Sequence, residues 1–539
     1  MTAPDDSSTV ERSTMRRFFQ WLFSRRFLRR ILICLAWLVT VVALFHGEED
    51  WRGRHAWNKY RQTLEAQGAQ LDYTALIPKP VPDDQNFAAT PAVKAWFVKR
   101  DADAGEEKWP DDFDDAYKIV REPRTQDGRG KRHFEDLAGL EAALAAVRTK
   151  AQAMSTNSYA VKLNAESRAQ AAPAVLEALK TNEALFAELR LASQRPYSRY
   201  PIDYNTDPLW ALQLPHISKV RGVCDRLRLK ACAELAVGQS EQALADLRLA
   251  FYLGDSGKSD ACLISSLVRF ACLQLAVQPI WEGLAEYRWS DAQLQELENR
   301  LLQYHLIADM KYSFDVERTF GVSTIEFFRH NGLGYLKDLG DHSSMPASRG
   351  QTLSKLIGWV ATPRGWYYLE ELNYCRGFEA GIASGVDYAH DRVLPAQVKA
   401  NALDLERTIK PGGLGGTPVG IVLRHRLMSG LLLPALNKVL SKAAAAQTVA
   451  NQAALACALE RYRLANKQFP EKLDSLAPQF ISALPVDVLT GESYKFRHTD
   501  NGQFVLYSVG WDEKDDGGRA GKKLFDEKEG DWVWEYPAR

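Results

Sequence analysis

The sequence predicts a mainly α-helical chain in three parts: an N-terminal transmembrane helix, an exported α-helical domain, and a C-terminal α+β module with a small antiparallel sheet. Three observations predict it. An apolar run flanked by arginines stands near the N-terminus, apolar residues recur at helical spacing from Phe134 to about Leu306, and two short alternating segments are joined by Asn-Gly near the C-terminus. At 539 residues the chain exceeds one ordinary core, so two or three folded units are expected.

Arg12, Arg16, Arg17, Arg25, Arg26, Arg29 and Arg30 precede the run Ile31 to Phe45, and Glu48, Glu49 and Asp50 follow it. Basic residues on one flank and acids on the other predict a cytoplasmic tail over 1–26 and an exported remainder. The run is shorter than the ~20 residues of a typical span. Phe27 and Leu28, with Arg29 and Arg30 snorkelling, extend it to 27–46. A cleaved signal peptide has an apolar core of similar length. Here Val41-Val42-Ala43 lies inside the apolar run with no polar segment before it, which favours an uncleaved anchor. Lys and Arg number 68, as do Asp and Glu, so the chain lacks the basic excess of a nucleic-acid binder.

The next segment, 47–92, reads as an exposed helix from Trp51 to Gln70 followed by a semi-rigid spacer. Pro78, Pro80, Pro82 and Pro91 hold that backbone extended. The helical domain is expected over 93–410. It opens on the acidic stretch Asp101 to Asp115, which lacks the spacing of a calcium loop and reads as a solvated insertion. Leu137, Leu140, Leu144 and Val147 form one helical stripe, and Ala174 to Leu191 continues the pattern. Gly238, Ala243, Leu247 and Ala250 resemble the second half of a tetratricopeptide-like hairpin and fit an ordinary antiparallel helix pair equally well. No copy recurs at the repeat period. Ser290 with Gln293 makes a capping box for Leu294 to His305. His330 to Gly365 reads as a long surface loop, and Trp366 to Ser384 and Leu394 to Ile409 as helices. Pro411 to Gly420, with five glycines and two prolines, opens the linker 411–426.

No constellation identifies a reaction. Gly412-Gly413-Leu414-Gly415-Gly416 follows a helix and lacks the residues of a phosphate loop, and neither HExxH nor GxSxG occurs. His305, His330, His342 and His390 have no partners at ligand spacing. The seven cysteines form no CxxC and read as small buried hydrophobes. An exported location also allows disulfides, with Cys262 and Cys272 or Cys224 and Cys232 as neighbours in sequence. Two polar groupings lie on helices: Asp315, Glu317, Arg318, Glu326 and Arg329, then Glu370, Glu371 and Glu379. Paired carboxylates of this kind can do acid–base work, but Arg and Glu on helices more often tie a helical domain together.

The terminal module, 427–539, begins with Leu431-Leu432-Leu433-Pro434 and a helix running to Asn466 whose stripe is Val449, Ala453, Ala456 and Leu459. Phe469-Pro470 ends it. Tyr494 to Arg497 and Phe504 to Val509 alternate across Thr499-Asp500-Asn501-Gly502, a hairpin signal. This order, with Gln468-Phe469-Pro470-Glu471-Lys472-Leu473, Leu484-Pro485-Val486-Asp487 and the acidic loop Trp511 to Gly518, resembles the globular domain of type II secretion major pseudopilins. The resemblance covers about a fifth of the chain. It implies a helix packed on a small sheet and a calcium ion (Ca2+) in the final loop, at positions matched by Asp512, Asp515 and Asp516. Three departures limit it. Pro485-Val486-Asp487-Val488 replaces Pro-x-Asp-Pro, the prepilin processing site is absent, and Arg424-His425-Arg426 precedes the stalk. Polymerisation as a pilin subunit is therefore not implied. The whole arrangement, including Leu214-Pro215-His216, also resembles uncharacterised bacterial single-pass membrane-anchored proteins. The resulting expectation is a single-pass inner-membrane protein, mostly periplasmic, that binds a protein partner in the cell envelope. The alternative is an envelope hydrolase using carboxylates such as Glu317 and Glu326.

Overall fold

A computed structural model describes residues 25–98, 116, 131–152, 167–332, 335–336, 362–409, 424–500 and 502–537. Residues 1–24, the acidic stretch 101–115, most of the expected loop 330–365 and the glycine-rich linker 411–420 lie outside these. The first helix, α1 (Arg25–Ala66), is unbroken for 42 residues. Its apolar part is fully exposed, as Leu32, Trp37 and Leu44 are, and it is long and apolar enough to cross a membrane. A second helix, Leu263–Ala285, passes the same length and hydropathy test, but more than half of it is buried in the protein. That is the profile of a core helix.

Beyond the membrane-type segment, α1 does not stand exposed as the sequence suggested. Trp57 and Leu64 are buried, because the outer half of α1 lies along a later helix, Arg364–Gly381. The proline-rich stretch is likewise folded onto the body rather than acting as a spacer. Phe87, Ala88 and Val93 are almost wholly enclosed. From Asp83 onward the stretch is not extended but a series of short helical turns, Asp83–Gln85, Phe87–Ala89 and Pro91–Lys94 with Pro91 at its start, and their aromatic and aliphatic residues supply a buried face.

The body is helical. In chain order it comprises α2 (Leu137–Gln152), α3 (Arg168–Leu179), α4 (Glu183–Ala192), α5 (Pro215–Ala236), α6 (Ser240–Asp255), α7 (Leu263–Ala285), α8 (Asp291–Leu301), α9 (Leu306–Asn331), α10 (Arg364–Gly381), α11 (Pro395–Ile409) and α12 (Leu427–Asn466). The stripe Leu137, Leu140 and Leu144 is buried in a satellite cluster with α3 and α5. Gly238, at φ 80°, makes the turn between α5 and α6, and the capping box at Ser290 and Gln293 starts α8. A two-stranded ribbon, β1 (Val386–Asp387) with β2 (Arg392–Val393), joins α10 to α11.

Near the C-terminus β3 (Lys495–His498), β4 (Phe504–Ser508) and β5 (Trp532–Trp534) form an antiparallel sheet in the order β3-β4-β5. Lys495 pairs with Tyr507 and His498 with Phe504, so the two alternating segments meet as an antiparallel hairpin. The third strand carries two tryptophans that are almost wholly buried, Trp532 and Trp534. At three residues it is too short to leave a periodic signal.

The helix ahead of the sheet, α12, is the axis of the molecule. Every residue from Ala443 to Arg461 is buried, on all faces. A helix apolar all round belongs in a core, and α12 packs on α7, α8, α9 and α10 as well as on β4. One hydrophobic core runs from Trp57 to Trp534. The composition break at 411–426 therefore does not divide the protein into two cores. Polar residues on α12 satisfy backbone groups around it. Gln447 accepts from the Leu306 amide (2.7 Å) and donates to the Tyr304 carbonyl (2.8 Å), while Gln452 donates to the Trp532 carbonyl (2.7 Å).

Candidate functional site

A cleft of about 1020 Å³ opens on one side of the helical body. One wall is the proline-rich stretch around Ile77 to Val81 with residues 196–199, and the other is the C-terminal end of α6 and the facing turns of α7 and α9. The first wall is built by pairing. Asn86 and Tyr197 form a bridge, the Asn86 side chain binds both backbone groups of Arg199 (2.8 and 2.9 Å), and Arg199 Nε donates to the Pro78 carbonyl (2.9 Å). The Tyr312 hydroxyl donates to the Leu76 carbonyl (2.8 Å) and so fastens this wall to α9.

The lining is rich in hydroxyls. Ser266 and Ser313 share a hydrogen bond of 2.7 Å, and Ser198 Oγ has no hydrogen-bond partner among the described residues. Burial pushes the Tyr252 and Tyr312 phenols up to about 12, so both stay protonated donors at neutral pH. The cleft carboxylates are all committed. Arg269 bridges Asp255 (2.5 Å) and Asp309 (2.6 Å), Lys258 adds to Asp309 (3.0 Å), and Asp315 is held by Lys311 (3.2 Å) and Arg318 (2.6 Å). Lys79 and Arg199 line the same space and make no ion pair among the described residues, which leaves the cleft a surplus of positive charge.

The two carboxylate groupings do not converge on a reaction centre. Arg318 ties Asp315 to Glu379 (2.5 Å), and Arg329 lies 3.7 Å from Glu326. Burial pushes Glu317 up to about 7. Glu370 caps α12, accepting from the amides of Leu427 (2.8 Å) and Met428 (3.0 Å), while burial pushes it up to about 7. Glu371 is fully enclosed where α10 meets α1 and α9, and neither of its oxygens has a hydrogen-bond partner among the described residues. Burial pushes its carboxyl up to about 8, Glu326 adds to the rise, and Arg329 and Arg61 oppose it. Neither this pair nor Glu317 lines the cleft.

In the final loop, Asp512 accepts from the Lys514 amide, and Asp515 accepts from the Tyr507 hydroxyl (3.1 Å) and the Gly517 amide (2.9 Å). The buried residue there is Asp531, which accepts from the amides of Asp516 (3.2 Å) and Gly518 (2.6 Å). No three carboxylates, histidines or cysteines come together as a ligand set among the described residues. The Asp512 and Asp515 side chains each accept from a backbone amide two residues on, while Asp516 takes part through its own amide. All seven cysteines are free thiols. Cys224 and Cys232 lie eight residues apart on α5, about 12 Å, beyond disulfide reach; Cys262 and Cys272 are further apart still along α7. The Cys224 thiol donates to the Ala250 carbonyl (3.6 Å).

Sequence reading did not find the cleft. Its residues come from five separated stretches, and none carries a motif. Comparison with family models, with curated proteins and with solved structures finds no match to the chain.

Proposed function

We propose that this is a single-pass membrane-anchored binding protein whose cleft takes an extended, acidic segment of a protein partner in the cell envelope. In this reading the N-terminus is cytoplasmic and the body lies in the periplasm of a bacterial inner membrane. The arginines before Ile31 and the acids after Phe45 support that orientation. The observation that carries the binding role is the cleft's charge balance. Its carboxylates are saturated from within, while Lys79 and Arg199 remain available beside hydroxyls and the half-exposed Tyr197. Such a surface favours an anionic partner with groups that accept hydrogen bonds. The ion-paired state of Asp315, Glu379 and Glu326 weighs against the hydrolase alternative. Residues 427–539 would form a pseudopilin-like module that adds a docking or stabilising surface, without filament assembly.

The test is equilibrium binding of a fluorescent Glu- and Tyr-containing peptide, and of its Lys-containing counterpart, to the full chain in lipid nanodiscs. The acidic peptide is expected to bind the tighter. Lys79→Glu with Arg199→Glu should weaken it by about tenfold or more, roughly 1.4 kcal/mol. Equal binding of both peptides, or indifference to the double reversal, would contradict the proposal.

A further inference from the structure

We propose that the face of the body around the exit of α1, carrying Arg52, Arg54, Arg364 and Arg424, docks on anionic phospholipid headgroups of the membrane that α1 enters. The inference rests on the anchor reading above and adds a lipid-binding surface to it.

The helix α1 passes without a break from its apolar segment into the body. A rise of 1.5 Å per residue puts Asp50 about 8 Å and Arg54 about 14 Å beyond Phe45. At that height the body is already fastened to it. Asp50 accepts from the Gly365 amide (2.6 Å), and Glu49 accepts from the Trp366 indole (3.1 Å). The His425 ring lies 5.0 Å from that of Trp366, which brings the start of α12 to the same level. The helix α10 then runs away from the bilayer beside α1, since Arg376 stands over Tyr60 at 5.2 Å. The N-terminal ends of α10 and α12 therefore mark the membrane-facing side of the body.

Charge on this side is sorted by direction. Glu49 is buried and bound by Arg52, and Asp50 is turned inward to cap α10. Arg54 (over the Tyr368 ring at 5.7 Å), Arg364 and Arg424 are exposed, as is Arg52 with its charge balanced by Glu49, and Glu48 is exposed among them. Headgroups extend roughly 5–8 Å beyond the hydrocarbon, and charges are felt over a Debye length of about 10 Å. A guanidinium at these positions therefore lies within range of lipid phosphates, to which its geometry is suited. Exposed Trp51, stacked on His55 at 5.5 Å, adds an amphipathic ring at the height where such rings settle.

The experiment is hydrogen exchange by mass spectrometry on the full chain in nanodiscs of phosphatidylcholine alone or with about a third phosphatidylglycerol, an anionic lipid. Residues 362–368 and 424–431 are expected to exchange several-fold more slowly with the anionic lipid. High salt, or Arg54→Glu with Arg424→Glu, should abolish the difference while leaving protection of the buried part of α12, residues 443–461, unchanged. Equal exchange in the two lipids, or a difference that survives the charge reversal, would overturn the proposal. Fast exchange of residues 31–45 in both discs would instead remove the anchor reading, and this proposal with it.

Discussion

Ionising a buried carboxyl that has no hydrogen-bond donors costs free energy, and Glu371 has none among the described residues. Its folded carboxyl is pushed up to about 8 from an ordinary value of 4.5. Between those two values the folded chain holds a proton that the unfolded chain has released. This group's contribution to stability is therefore full at pH below 4.5 and falls as pH rises toward 8. Glu371→Gln should remove that loss, making the protein more stable than the parent at pH 8 by an amount on the order of 1–3 kcal/mol. Thermal unfolding from pH 5 to 9 checks this. A variant less stable than the parent at pH 8 would mean that the carboxylate has donors after all. Glu234 moves in the same direction by burial beside Asp246, so a shallower pH trend will remain in the variant. The neighbouring Glu370 is also raised by burial, but only to about 7, because two backbone amides donate to it. In the sequence the two glutamates are indistinguishable, because what separates them is the start of a helix 57 residues away.

At the scale of elements, the contact that sets how the membrane-type helix meets the body is a crossing of two glycines. A methyl group on Gly365 would lie 1.9 Å from the Glu49 carbonyl oxygen, and one on Gly53 would lie 2.2 Å from that of Gly365. Both obstacles are backbone, so neither can rotate aside. Gly365→Ala should cost at least the roughly 1–3 kcal/mol of an overpacked core. It should also loosen α1 from α10, seen as faster hydrogen exchange in residues 47–66. Unchanged protection there would contradict the crossing. Elements fixed by local chemistry were legible in the sequence: the capping box at Ser290, the Gly238 turn, the stripe at Leu137 and the β3-β4 hairpin. The glycine crossing was not, since its two residues are 312 positions apart and neither is unusual in its own surroundings. Proline spacing likewise reported a stiff backbone between Pro78 and Pro91, but not that Phe87 would be buried by what lies against it.

For the whole molecule, the sequence suggested separable parts, and the structure joins them through α12. Composition registers a break in helical patterning, as at Pro411 to Gly420, but not which surfaces meet on either side of it. The small-residue stripe of α12 was read as one face for one sheet. It is instead part of a helix buried on every side by α7 to α10 and β4. The candidate cleft belongs to this scale too, because its walls come from stretches near residues 80, 197, 255, 269 and 311 that only the assembled fold brings together. Its proposed role is tested most directly in living cells, with a photo-crosslinking amino acid in place of Tyr197 in the full-length chain. The expected result is an adduct to an envelope protein through an acidic segment, lost when Lys79→Glu and Arg199→Glu are introduced while the protein stays membrane-bound and at normal abundance. No adduct, or an adduct whose yield is unchanged by the two reversals, would contradict a binding role for the cleft.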